Sequence, residues 1–200
     1  MNAERLENLW AGEFGNAYNL RNLNAYDLRK PYWEGILTAN KLSNVLEVGC
    51  NVGGNLRWMT GLTDAYGVDI NKQALAIART VNPMMNVIYS KARELPFKDS
   101  YFDLVFTCGV LIHQPEESLK QVMSEIIRCS KKYVLCMEYL SGSAAKREEV
   151  PYRDQPGSLW RDDYGGHYMK WFGLKHVDSG FLSKAQGFDD LTWTLMQVPE

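Results

Sequence analysis

Two carboxylates, Glu47 and Asp69, bracket a stretch of chain that carries Gly49, Gly53 and Gly54. Glycines let a main chain come into contact with a ligand. An acid about 20 residues beyond a glycine loop is placed to accept from ribose hydroxyls. Gly49, Asn51 and Gly54 nearly fill a GxGxxG frame, with Asn51 in the middle glycine's place. Taken alone, such a frame is weak. A dinucleotide, a nucleoside with a cationic tail, or a tight turn with no ligand would each account for it. Glu47 separates the first two, because a pyrophosphate seeks helix-terminal amides with no negative charge beside them. A carboxylate just before the loop suits a cation.

Other side chains offer chemistry further along. His113 stands just ahead of Pro115, and an imidazole titrating near 6.5 can take a proton close to neutrality. It can equally be satisfied by local backbone as a helix begins. His167 is the competing base. Arg153 and Arg161 carry guanidinium forks suited to a carboxylate or phosphate, with Tyr152, Trp160 and Asp162 beside them as substrate contacts. The plain alternative is a solvated, salt-bridged loop. Trp10, Phe14 and Tyr18 recur every four residues, as a helical stripe packed on the core or a cover over the ligand would. Gly12 and Gly15 weaken a helix there by up to roughly 1 kcal/mol each.

These residues need a frame. "NVLEVG", "DAYGVDI", "NVIYSKA", "FDLVFTCG" and "YVLCMEY" read as five short apolar strands. "NLRWMTGL", "NKQALAIART" and "PEESLKQVMSEIIRCSK" read as helices between them, with Asn71 an N-cap and acids opening the last. Such alternation predicts a parallel sheet covered on both faces. Its ligand site lies beyond the C-terminal strand ends, where strand order reverses. The glycine loop, Asp69 and the "TCGVLIH" turn all fall at that edge. "GLKHVDSGFLS" and "DDLTWTLMQV" predict an antiparallel hairpin. The segment 140–173 before it is too long for a plain connector and reads as a substrate insert or lid.

Composition bounds the rest. Two hundred residues, 46% apolar and 23% charged with a formal net charge of −2, fit a single globular domain. That balance argues against a broad nucleic-acid footprint. No apolar run reaches about 18 residues, and the first residues lack the marks of a signal peptide. Cys50, Cys108, Cys129 and Cys136 form no CxxC pair, which points to a reducing, cytoplasmic setting. The three histidines lack ligand spacing, so no metal is expected. Oligomeric state is not legible.

"VLEVGCNVGGN" resembles the first motif of class I S-adenosylmethionine-dependent methyltransferases, and "GVDIN" their acidic second motif. The stretch from "ARELPF" through "FDLVFTCGVLIH" is similar to their adenine loop, fourth strand and the histidine after it. The likeness covers residues 44–139. It implies a Rossmann-like α/β fold, a seven-stranded, mostly parallel sheet with a C-terminal antiparallel hairpin. It also implies S-adenosylmethionine as cofactor and a small-molecule methyl acceptor.

On that resemblance Glu47 meets the donor's ammonium, and Gly49, Cys50, Asn51, Gly53 and Asn55 form its loop. Asp69 takes the ribose, Ile70 the adenine face, and the backbone at Ala92 and Arg93 the adenine edge. Cys108 and Gly109 line the pocket, and Tyr18 and Arg21 meet the methionine carboxylate. Lys91 is a departure, standing where the family often has an acid. The two ends of the chain, "WAGEFGNAYNLRN" and "VPYRDQPGSLWRDDYGGHYMKWF" onward, are similar to methylases associated with pseudaminic acid biosynthesis. That narrower likeness implies an acidic, nonulosonic-type sugar or its nucleotide-activated precursor as acceptor. From other classes, a dinucleotide-dependent oxidoreductase and a non-catalytic donor-binding module remain open.

Overall fold

A computed structural model describes residues 3–23, 27–142 and 146–199. Five strands run parallel: β1 (Asn44–Val48), β2 (Asp64–Asp69), β3 (Asn86–Tyr89), β4 (Phe102–Cys108) and β5 (Ser130–Glu138). Two-residue strands β6 (Glu148–Glu149) and β7 (Trp160–Arg161) form a separate small ladder. β8 (Lys175–Leu182) and β9 (Leu191–Gln197) complete the main sheet, in the order β3-β2-β1-β4-β5-β9-β8. β9 enters antiparallel between β5 and β8, as the hairpin reading required. Strand order reverses between β1 and β4, which opens a crevice at their C-terminal ends.

The central strands are mostly apolar because both their faces are covered. Val45, Leu104 and Phe106 pack with Trp33 and Leu37 of α3 (Lys30–Asn40) and with Leu75 and Ala78 of α4 (Lys72–Val81). Leu46, Val48 and Val105 face the other way, against Leu119, Val122 and Ile126 of α5 (Glu116–Cys129). Fully burying a side chain of this size is worth about 1.5–3 kcal/mol, so a one-residue slip of β1 or β4 would still bury apolar groups. Asn71 caps α4, its side chain accepting from Ala74 N at 2.8 Å. Among the described residues no helix is long and apolar enough to cross a membrane.

Two elements differ from the sequence reading. "NLRWMTGL" is no α-helix. A single 3₁₀ turn, Leu56–Trp58, is followed by a bridge between Thr60 and Thr63 around Gly61, whose φ is +87°. A segment stopped that soon cannot recover the cost of nucleating an α-helix. The second half of the expected lid is also different. α6 (Tyr164–Phe172) packs on the sheet, with Gly165 pressed against Thr194 of β9 and Tyr164 and Tyr168 fully buried. Residues 143–145, at the front of that insert, lie outside those described.

Candidate functional site

The crevice holds a cavity of about 460 Å³, a usual size for a small-ligand site. Its floor is the glycine loop, Asp69 and Ile70, and the turn after β4. Its roof is the N-terminal pair α1 (Ala3–Ala11) and α2 (Glu13–Asn22). Tyr152, Arg153 and Leu159 of the insert close one side, with Asp189 and Leu191 at the start of β9. Gly12 breaks the aromatic stripe into these two helices. Gly15 then lets them close, because a Cβ there would sit 1.9 Å from the Trp10 carbonyl oxygen. Trp10 lies edge-on to both Phe14 and Tyr18, with ring centres 5.3 Å apart in each pair. Trp10 and Tyr18 both line the cavity.

At one end sits Glu47, 2% exposed. Its Oε1 accepts from Asn55 Nδ2 at 2.6 Å, while its Oε2 is buried with no partner. Burial pushes the carboxyl up to about 8, against the Asn55 hydrogen bond and the nearby Arg29 charge. A buried acceptor left unmatched costs about 1–3 kcal/mol, so this oxygen calls for a donor from the cavity. Arg29 stands beside it. Its Nη1 donates to Asn55 Oδ1 at 2.9 Å and its Nε to the Gly187 carbonyl at 2.6 Å, with the guanidinium 4.4 Å over the Phe188 ring. The cavity end thus presents an acid and a cation bridged by one asparagine.

Asp69 is held by the main chain. Its Oδ2 accepts from Asn51 N at 2.8 Å and its Oδ1 from Asn71 N at 2.7 Å. Burial raises its pKa, and those amides oppose the rise. Asn51 adopts φ +49° to present its N–H this way, a conformation asparagine tolerates better than most residues. Asn19, fully buried on α2, donates to Asn71 Oδ1 at 3.0 Å and accepts from the Asn51 side chain. Asn71 in turn donates to the Trp10 carbonyl and to Asn16 Oδ1, each at 2.9 Å. This asparagine chain pins the roof to the floor.

The turn after β4 is fixed by another buried acid. Glu138 accepts from the backbone N–H groups of Val110 and Leu111 at its Oε1 and of Ile112 at its Oε2, at 3.1–3.3 Å. Burial pushes its pKa up to about 7 against those hydrogen bonds. The turn carries His113, 9% exposed, whose Nδ1 lies 2.6 Å from the Ser158 carbonyl. A carbonyl only accepts, so Nδ1 carries the proton and Nε2 keeps the lone pair. Burial lowers the ring's pKa to about 4 despite that bond. The ring also packs against Trp10 and Tyr152, at 4.5 and 5.4 Å between centres.

At the opposite end α1 clasps the loop after β3. Glu7 meets Arg93 Nε at 2.6 Å and Lys91 Nζ at 2.9 Å, which gives the unexpected Lys91 an acidic partner. Arg5 donates to the Pro156 and Gly157 carbonyls at 2.9 and 3.0 Å, so α1 also ties down the insert.

Most residues singled out in the sequence meet in this wall: Tyr18, Arg21, Glu47, Gly49, Cys50, Asn51, Asn55, Asp69, Ile70, Ala92, Arg93, Cys108, Gly109, His113, Tyr152 and Arg153. Gly53 does not. Its φ is +76°, and a Cβ there would meet Met85 Sδ at 2.5 Å, so it serves packing beneath the loop. Trp160, Arg161, Asp162 and His167 also lie outside the cavity wall. His167 stacks on Trp171 at 4.1 Å and pairs with buried Asp162 at 2.9 Å, Trp160 packs under Arg147, and Arg161 is exposed. These four correct the sequence reading, because the insert folds their polar groups onto one another. Glu7, Asn19, Arg29 and Glu138 escaped that reading. Each lies in or just outside an unremarkable helix or strand, and only tertiary contact gives it a role.

Residues 46–136 match the family model described as a methyltransferase domain. Sterol 24-C-methyltransferase erg6 of Schizosaccharomyces pombe is 31% identical over 131 residues, which cover 58% of this chain and 34% of that protein. A tRNA U34 carboxymethyltransferase of Syntrophotalea carbinolica is 33% identical over 124 residues, 58% of this chain and 34% of its own length. The chain therefore spans only about a third of these relatives. Among solved structures, the 1,6-didemethyltoxoflavin-N1-methyltransferase of Burkholderia thailandensis, with its substrate and S-adenosylhomocysteine bound, superimposes with a TM-score of 0.78. That match covers 100% of this chain and 92% of the other, and at 11% identity it shows the fold. The sheet order is that of the Rossmann-like methyltransferase fold, and within it residues 46–136 match the methyltransferase-domain model.

Proposed function

We propose that the protein moves the methyl group of S-adenosylmethionine onto a small molecule with an anionic group: an acidic, nonulosonic-type sugar or its nucleotide-activated precursor. The observation that carries the donor half is the buried, unpartnered Oε2 of Glu47 at the charged end of the cavity. An ammonium would satisfy it, whereas a pyrophosphate carries only acceptors and would not. The residues present therefore fit this donor. The acceptor half rests on Arg153 in the cavity wall and on the pseudaminic-acid-type likeness of the chain's two ends. A cytoplasmic setting, consistent with four free thiols, and a partner list without nucleic acid belong to the same reading.

When bound, S-adenosylmethionine supplies a methyl carbon already activated by its sulfonium. The protein's share is placement, which can remove much of the entropic barrier to encounter. Glu47 and Asn55 hold the ammonium, Arg29 with Tyr18 and Arg21 meets the carboxylate, and Asp69 accepts from both ribose hydroxyls. His113 offers Nε2 to a hydroxyl acceptor's proton. Trp10 and Tyr152 exclude water around that ring.

Calorimetric titration with S-adenosylhomocysteine and, separately, NADH tests the donor half. Uptake of the first alone is expected; uptake of NADH alone overturns the assignment. Methyl transfer to acidic sugars, with none to their uncharged analogues, is the expected result for the acceptor half. The reverse preference sinks it.

A further inference from the structure

We infer that Glu7, on the first helix, reads the base of the donor: its carboxylate accepts from the 6-amino group of adenine and sets the site against 6-oxo purines. This rests on the donor assigned above. Glu47 belongs to β1 and Asp69 to the end of β2, and the next loop in the sheet order, after β3, brings Ala92 to a lining that also holds the apolar Leu6, Ile70 and Ile112. A flat purine suits that slot, and its polar edge must then reach the rim. There the wall presents Glu7.

Arg93 donates to Glu7 twice, at 2.6 and 3.1 Å, and Lys91 once at 2.9 Å. Those three contacts leave a carboxylate, with about four lone-pair sites, room for one more donor. Burial alone would raise the acid's pKa, but Arg93 and Lys91 hold it below the usual carboxylate range. It stays ionised and acceptor-only, able to take an amino hydrogen and repelled by a ring carbonyl. Its position does not hang on the ion pairs alone. Ala3 N donates to Glu117 Oε1 at 2.6 Å, and Arg5 is bonded to the Pro156 and Gly157 carbonyls.

The test is calorimetric binding of S-adenosylhomocysteine and of its 6-oxo analogue, S-inosylhomocysteine, to the wild type, Glu7→Gln and Lys91→Met. The wild type should favour the adenosyl ligand by about tenfold or more, the size of one hydrogen bond to a charged group. Glu7→Gln, whose amide can donate to a ring carbonyl, should shrink that ratio about tenfold. Lys91→Met should leave it unchanged while loosening the clasp. An unaltered ratio in Glu7→Gln overturns the inference, as does an equal loss for both ligands in both variants, which is what a helix-docking role alone gives. A wild type that takes up neither ligand removes the donor assignment itself.

Discussion

The sheet edge under the cavity and the insert beside it are built by different means. At the sheet edge each charged group is fixed by backbone amides or by a neighbouring asparagine: Asp69 by Asn51 and Asn71, Glu47 by Asn55, the histidine turn by Glu138. On the insert side the charged and aromatic residues answer mainly one another, as Asp162 does His167 and Arg147 does Trp160. Among the described residues of that segment only Tyr152, Arg153 and Leu159 reach the cavity. The contrast teaches that a cluster of reactive residue types marks a site only when the fold points them at empty space. It also divides the expected effects of mutation, with large losses on the donor floor and turn and small ones in the insert.

His113→Ala should give the largest effect. If Nε2 takes the acceptor's proton, turnover falls by about 10²–10⁴, while S-adenosylhomocysteine affinity, read by calorimetry, holds. The ring's lowered pKa sharpens the prediction. A base titrating at about 4 stays largely neutral above that pH, so the acidic limb of the rate profile should fall off near 4 rather than 6.5. A variant with undiminished turnover reduces His113 to a wall residue beside Trp10.

Asp69→Ala comes next. It removes the carboxylate proposed to hold the ribose and strands the Asn51 and Asn71 amides, so donor affinity should drop by about 10² or more. Undiminished binding would take Asp69 off the ribose. This residue also shows how far the sequence was legible. Asp69, Glu47, Gly49 and Gly54 could be placed at the cavity from the sequence because strand ends in a parallel sheet converge on one edge, and spacing along the chain records that directly. Arg29 and Asn19 could not, because each gains its role from residues 26 to 158 positions away. Gly53 was misplaced for a third reason. A glycine demanded by positive φ and one demanded by a ligand look the same in a string of letters.

Glu47 supplies the pH dependence. With its pKa near 8 in the free protein, Glu47 is mostly protonated at pH 7, and a cationic ammonium prefers the ionised form. Donor binding must therefore release a proton below about pH 8, and affinity should rise with pH by up to about tenfold per unit until it levels there. Titration in buffers of different ionisation heats counts the released protons. Glu47→Gln should bind more weakly, without that slope. A slope surviving in the variant would move the titration to another group, Asp69 being the nearest candidate.

Arg153→Glu probes the one insert cation in the cavity wall. Its backbone holds φ +45° and its guanidinium lies 5.9 Å from the Tyr152 ring, so the substitution changes charge at an exposed, already constrained position. An acidic acceptor should lose about tenfold in KM, the scale of one charged hydrogen bond, with donor affinity intact. Equal loss for both ligands would mean that the residue shapes the loop.

The smallest catalytic effect is expected at His167, the residue whose type most invited a catalytic reading. Its Nε2 is committed to Asp162 at 2.9 Å, and its ring lies flat on Trp171 with an interplanar angle of 7°. His167→Ala should leave turnover within about twofold, because nothing it touches lines the cavity. The loss should appear in stability, since Asp162 is buried and keeps only Arg147, at 3.9 Å, and its neighbour's amide. Leaving such a group short of one partner costs about 1–3 kcal/mol, and the half-wet edge of this pair puts the figure at the lower end. Thermal unfolding of the two proteins should then differ by a few degrees while their rates coincide. A collapse in turnover with unchanged melting would return His167 to the active site, and with it the view of the insert as a lid.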